Sequence, residues 1–439
     1  MGSRDSSIKV LPRRMNARQR KQVLAGTLGS GIEYIDWAIY GSLSPLFASS
    51  FFPAAVPAAA LLGTLAIFAT GFIMRPVGAI VLGVFADHHG RKKGLLLSIL
   101  IMTLGGYLVA FSPTYNQIGI LAPMFLLIAR LAQGFATGGE YGTAITYIVE
   151  SAPPGRRNFA GSFQQVTTAA GVLLAGIIVF ILTTTMPDNA LTEWGWRIGF
   201  GVAATLSLLT LWFRSTVGET DAFETMKQES QGYALHFFKF LRTHWRTILW
   251  VMVYSIPLVI LYYIWIIYMP AFAHTSYGIP LSLTVLSANI SLVFLLIVLP
   301  FIGRLADKYG RKTMLIVSYA GMMLLAFPAF EFMGASFWSL LIFQLTALLL
   351  YSPNLATFAA MLGDRFPADV RTTGTGVPYA IVVAAFGGTA PYIITAIQGA
   401  GLGSLVWLYP AAAAALGVVI FATMRDKTEL DDESVSVAS

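Results

Sequence analysis

The chain contains no cysteine among its 439 residues. Disulfide bonds, thiol nucleophiles and thiolate metal sites are therefore excluded. Charge is also scarce: Asp, Glu, Lys and Arg make up 11% of the residues, against roughly a quarter in soluble proteins. Histidine is rare, and His88, His89, His236, His244 and His274 are all expected in loops. The apolar segments then hold no imidazole for acid–base or metal chemistry, and no nucleophile cluster stands out, which argues against a membrane enzyme. The first residues, MGSRDSSIKVLPRRMNARQRKQ, are basic. They lack the short apolar core of a secretory leader, so none is expected.

Apolar residues are abundant, at 56% of the chain. They fall in runs that commonly exceed the ~20 residues a helix needs to cross a bilayer core. The chain reads as an all-α integral membrane protein with twelve spans. The first six are placed at Val23–Phe51, Ala58–Ala86, Gly94–Phe111, Ile118–Val149, Phe159–Thr184 and Trp196–Phe213. The second six are Thr247–Ala273, Leu283–Ile302, Thr313–Met333, Phe337–Leu362, Thr373–Gly399 and Leu405–Met424. This gives a basic N-terminus (1–22), a six-helix bundle (23–213), a polar linker (214–246), a second bundle (247–424) and an acidic tail (425–439). With both termini in the cytoplasm, every Lys and Arg except Arg75, Arg130 and Arg197 falls on the cytoplasmic side. That is a strong positive-inside bias. It accounts for the net charge of +7 without nucleic acid. Arg197, beside Trp194 and Trp196 at the outer edge, reads as an interfacial anchor.

The chain repeats itself. GVFADHHGRKK (83–93) follows span two and GRLADKYGRKT (303–313) follows span eight. Both read G-x-x-x-D-x-x-G-R-K, and Asp87 and Asp307 are 220 residues apart. A second echo is ESAP (150–153) after span four and DRFP (364–367) after span ten. Two matches in register indicate a duplicated six-helix unit. In these loops Asp87, Gly90, Arg91, Asp307, Gly310 and Arg311 form a candidate gate with the acids Glu150 and Asp364. We pair Arg91 with Glu150 and Arg311 with Asp364. Such pairs would hold one access state and break when the halves rock. The alternative is a purely topogenic role for the basic residues.

These loops resemble the signature of the major facilitator superfamily, and RLAQGFATG (130–138) resembles its span-four motif. GIEYIDWAIYG (31–41, counted from Gly31), RLAQGFATGGEYGTA (130–144), WGWRIGF (194–200) and RTTGTGVPYAIVVAAFGGTAP (371–391) look like the metabolite:proton symporter branch. GFIMRPVGAIVLG (71–83) and IGILAPMFLLIARLAQGF (118–135) are most similar to citrate and tricarballylate carriers. GSFQQVTTAAGVLLAG (161–176) lacks the Gly-Pro of span five in superfamily antiporters. The resemblance implies the twelve-helix major facilitator fold, symport by alternating access, and no cofactor beyond protons as coupling ion. Two positions depart from the family pattern: His88 stands where Arg is usual and Ser30 where many members have Asn.

Few charges interrupt the spans: Glu33, Asp36, Arg75, Arg130 and Glu140. Each costs about 2.5–3.5 kcal/mol at a helix centre, so each needs a partner or a wet cavity. Glu33, Asp36 and Tyr40 share one face of helix one. Arg130, Gln133, Thr137 and Glu140 form a stripe on helix four, beside a small-residue stripe of Gly134, Gly138 and Gly142 suited to close packing. Arg130 is the first candidate for an anionic substrate. Arg75, placed nearer the inner end of its span, is the second, with a snorkelling or bracing role as the alternative. Neutral candidates are Gln133, Tyr40, Gln164, Gln165, Asn354 and Tyr379. Asp36 is the leading proton carrier, with Glu33 and Glu140 as helpers or structural partners.

Moving net negative charge inward costs roughly 2.3 kcal/mol per charge per 100 mV. A multivalent anion therefore needs several protons or enters partly protonated. The expectation is a monomeric, multi-pass inner-membrane proton symporter for a small organic anion such as a di- or tricarboxylate. A betaine- or proline-like zwitterion and a shikimate-like metabolite are the alternatives; a channel is the alternative of another class, against which the duplicated halves with gate motifs argue for alternating access. The short tail RDKTELDDESVSVAS counts against osmosensing zwitterion carriers, which usually carry a long coiled coil.

Overall fold

The computed structural model describes residues 15, 17–52, 57–153, 155–216, 218, 237–368, 370–387 and 389–424. The first fourteen residues, most of the linker (219–236) and the acidic tail lie outside the described residues.

In hydrocarbon every backbone N–H and C=O must find its partner within the segment, so apolar runs of this length become helices. Twelve long helices result among the described residues. They are α1 (Ala17–Phe51), α2 (Pro57–His89), α3 (Arg91–Ala110), α4 (Leu121–Ser151), α5 (Arg157–Thr185) and α6 (Trp196–Ser215). α7 (Phe237–Tyr262) runs through a π turn, Tyr263–Tyr268, into Met269–Tyr277. Then come α8 (Leu281–Tyr309), α9 (Arg311–Glu331) and α10 (Phe337–Gly363). α11 (Arg371–Val382) passes a second π turn, Val383–Gly387, into Thr389–Gly399, and α12 is Leu408–Thr423. Ten of these are long and apolar enough to cross a membrane by length and composition. The other two are α1, which carries Glu33 and Asp36, and α11, which is broken by its π turn.

Several expectations are corrected. Arg75 lies near the middle of α2, not toward its end. Arg214 belongs to the buried last turn of α6 rather than to the linker. α7 begins at Phe237, ten residues earlier than expected, because Phe237–Arg246 continues the helix. His88 and His89 close α2, His244 sits in α7 and His274 in its continuation, so these four are helical rather than in loops. They cluster at helix ends, and the middle of the spans stays free of them.

The packing follows the repeat. α1 packs on α5, α2 on α4 and α3 on α6; among the last six, α8 packs on α10 and α9 on α12. The two sets meet along α2 with α11 and along α5 with α8. Glycines permit the closest approaches. A Cβ on Gly138 would overlap the Arg75 carbonyl, and one on Gly134 the Gly71 carbonyl, so the helix-four stripe seats α4 on α2. Gly142, one turn on, instead faces Thr372 and Gly376 of α11 across the divide.

Candidate functional site

The two loop motifs end α2 and α8 and start α3 and α9. Gly90 and Gly310 have φ of 107° and 87°, values that a Cβ disfavours. These turns aim Asp87 and Asp307 at the opposite half. Asp87 accepts the backbone N–H of Thr372 at 3.1 Å and of Thr373 at 2.9 Å, and the Thr373 hydroxyl at 2.7 Å. Asp307 accepts the N–H groups of Asn158 and Phe159, each at 2.9 Å. Each carboxylate thus caps the N-terminus of the helix facing it, α11 or α5, where unpaired N–H groups and the helix dipole favour an anion.

Ion pairs add to these contacts. Arg91 lies 3.3 Å from Glu150, and Arg311 lies 2.7 Å from Asp364. Both pairs were expected, but each joins helices within one half. The bonds that cross are Arg371–Glu150 at 2.8 Å and Arg157–Asp364 at 2.6 Å, together with a bond from Arg91 to the Ala368 carbonyl. Arg157 and Arg371 were not anticipated. Their signal was available: each repeat reads acid, six residues, Arg, as Glu150 to Arg157 and Asp364 to Arg371. On this basic face the halves are joined by a pseudo-two-fold set of contacts.

Inside the first half the membrane charges form three pairs. Arg130 donates to Asp36 at 2.7 Å. Its guanidinium lies 4.1 Å from the centre of the Tyr40 ring and 5.4 Å from that of Phe200. Arg75 donates to Glu33 at 3.3 Å and lies 4.6 Å from the Phe72 ring and 4.7 Å from that of Trp37. Glu140 pairs not with Arg130 but with Arg214, at 3.3 Å. Arg214 is the missed sixth charge. Ten residues separate Arg130 from Glu140, about 15 Å along a helix, too far for one side chain to bridge.

Among these pairs, Arg75–Glu33 is linked to the other half. Arg75 is electrostatically close to Tyr34 of α1, Tyr263 of the α7 π turn and Tyr379 of α11. All three tyrosines are half-buried. Tyr141 stacks on Tyr379 with ring centroids 4.1 Å apart, and Tyr34 meets Tyr262 edge-on at 6.4 Å. The two π turns touch here, where Gly387 leaves room for the Tyr263 ring. π turns often mark functional positions, but nothing in residue spacing announces them.

Other candidates lie elsewhere. Tyr40 donates to the Thr64 carbonyl at 2.8 Å and stacks on Phe68. Gln133 is fully buried against Gly105 of α3. Asn354 donates to Ser318 at 2.5 Å, inside the second set of helices rather than toward the first. Gln164 and Gln165 of α5 are buried, and both polar atoms of the Gln164 amide lack a hydrogen-bond partner. Among the described residues no group of three or more His, Asp or Glu could hold a metal ion.

A bundle of twelve long helices in two repeated sets, with charged side chains paired between its helices, has the architecture of a membrane carrier. The chain belongs to the Major Facilitator Superfamily, whose family description matches residues 26–391. It is 34% identical over 407 residues to an alpha-ketoglutarate permease of Escherichia coli, covering 92% of this chain and 93% of that one. It is 32% identical over 384 residues to a citrate-proton symporter of Klebsiella pneumoniae, with 85% and 84% covered. A glycine betaine/proline/ectoine/pipecolic acid transporter of Dickeya dadantii is 31% identical over 378 residues, with 84% and 75% covered. In fold, the chain is similar to a solved proton:xylose symporter, with a TM-score of 0.79, 18% identity, and 94% and 97% covered. It is thus a multi-pass membrane transporter, and its curated relatives are transporters rather than enzymes.

Proposed function

We propose that the protein is a proton symporter that imports a small carboxylate, with the basic face in the cytoplasm and the termini on that side. One observation carries this reading: Arg75, near the middle of α2, pairs with Glu33 and lies within electrostatic reach of Tyr263 and Tyr379 of the opposite half. A guanidinium is the best available partner for a carboxylate, since it binds it with two parallel bonds. A substrate carboxylate and Glu33 compete for that cation. When substrate takes Arg75, Glu33 is left without its partner, and a buried carboxylate without a cation is stabilised by a proton. Substrate and proton are then taken up together. Asp36, held by Arg130, tunes this pair from one turn away and is the second proton candidate, and Glu140 with Arg214 is the third.

With Arg75 as the one cation assigned to the substrate, a mono- or dicarboxylate is favoured over a tricarboxylate. The permease for alpha-ketoglutarate and the citrate symporter among the relatives support a carboxylate. A second reading has its own observation: the tyrosines near Arg75 suit a zwitterion whose cation would rest on aromatic rings. It accords with the betaine-type relative. A thermal-shift series with alpha-ketoglutarate, citrate, betaine and proline separates the two, because a ligand that binds only the folded state raises the melting temperature. Proteoliposomes then test coupling. Glu33→Gln should keep substrate binding and lose accumulation under an imposed pH gradient. Full accumulation by that variant, with loss in Asp36→Asn, would move the coupling site to Asp36.

A further inference from the structure

We propose that an arginine-lined pocket between α1, α5 and α8 on the basic face binds the phosphate of an anionic membrane lipid and thereby favours the closed gate. The pocket is a cavity of about 680 Å³. Its polar wall is Arg20 of α1, Arg156 at the start of α5 and Arg304 of α8, and its apolar wall includes Val23, Leu24 and Phe163. Phe159 lies between the cations: its ring centre is 4.7 Å from the Arg304 guanidinium and 6.0 Å from that of Arg156. The buried Nε of Arg156 has no hydrogen-bond partner among the described residues, and Arg20 donates only to the Met15 carbonyl. Asp307, which caps the start of α5, is committed to the Asn158 and Phe159 amides. Three cations thus converge on an apolar hollow without a carboxylate from the described residues to neutralise them.

That chemistry fits a phosphodiester with an acyl chain. Guanidinium groups bind phosphate oxygens in pairs. Basic pockets between membrane helices on the inner side recognise anionic headgroups. The arrangement also couples binding to conformation. Arg20 and Arg156 belong to the first six helices and Arg304 to the last six, beside the cap that Asp307 places on α5. An anion held by Arg156 and Arg304 together bridges the halves only while this face is closed. A ligand that binds one state better shifts the population toward it.

The experiment uses the full chain in nanodiscs of phosphatidylcholine alone or of phosphatidylcholine with phosphatidylglycerol. Spin labels at His89→Cys and Pro367→Cys report the distance across the gate, and the absence of native cysteine leaves no background. Phosphatidylglycerol should raise the closed-to-open ratio by about fivefold or more. The response should vanish in Arg156→Gln/Arg304→Gln and weaken in Arg304→Gln alone. A charge-matched control on α7, Arg242→Gln/Arg246→Gln, should retain it. The proposal is overturned if the parent protein shows no response, or if the pocket variants respond like the control, which would assign the effect to diffuse surface charge. It is also overturned if inorganic phosphate added to phosphatidylcholine nanodiscs reproduces the shift, because the occupant would then be a soluble anion.

Discussion

Replacing Asp87 by Asn tests the gate most directly, because it changes one charge and almost no volume. The carboxylate accepts three bonds from α11, two from backbone N–H groups and one from the Thr373 hydroxyl. Hydrogen bonds to a charged acceptor contribute about 1.5–3 kcal/mol each, and an anion at a helix N-terminus adds up to about 2 kcal/mol in a partly buried site. Asparagine keeps one oxygen but turns an NH₂ toward donors, so at least one bond becomes a donor–donor contact. The closed state should lose about 2–4 kcal/mol relative to the open one, a shift of roughly thirtyfold to a thousandfold in their ratio. The spin-label pair at His89→Cys and Pro367→Cys reads that ratio as a move to longer distances. Uptake should slow while substrate affinity stays within a few-fold, since the change acts on the state equilibrium and not on the chamber. An unchanged distance distribution in a folded Asp87→Asn variant would refute this account of the gate.

The two crossing arginines should differ despite their symmetry. Arg371→Gln leaves the nearly buried Glu150 short of a cation, whereas Arg157 and Asp364 are 45% and 25% exposed, in the range where an ion pair contributes about 0–1 kcal/mol. Gate opening measured by the same labels should therefore be large for Arg371→Gln and small for Arg157→Gln. At the charged pairs, Arg75→Lys should weaken substrate affinity by about tenfold or more through loss of bidentate geometry, read by thermal shift. Arg130→Lys should reduce coupled uptake more than affinity, and equal loss of affinity in both would place Arg130 in the substrate site instead. Gly138→Val should prevent folding, because its side chain meets the Arg75 backbone, whereas Gly142→Ala presses on α11 across the divide and should open the gate in a protein that still folds. Detergent-stable yield and the gate distance distinguish the two.

Much of this was legible in the chain. Apolar runs gave the helices because backbone groups in hydrocarbon can only be satisfied locally. The repeated loops placed Asp87 and Asp307 at equivalent positions, and Gly90 and Gly310 where a positive φ is needed. Scarcity of charge marked Glu33, Asp36, Arg75, Arg130 and Glu140 as the groups to explain. These are local properties of composition and spacing, and each could be read one helix at a time.

Pairing could not be read that way. Glu140 joins Arg214 of α6 instead of Arg130, its neighbour on α4. The ion pairs between the halves use Arg371 and Arg157, whereas the motif arginines Arg91 and Arg311 pair with acids of their own half. Arg75 rather than Arg130 turns toward Tyr263 and Tyr379 because Gly134 and Gly138 seat α4 on α2 at one particular rotation. A side chain's partner depends on helix rotation and depth, which are set by contacts between residues far apart in the chain. Hydropathy therefore decided that the chain would form long apolar helices, ten of them long and apolar enough to cross a membrane, and the packing of those helices decided which buried charges meet.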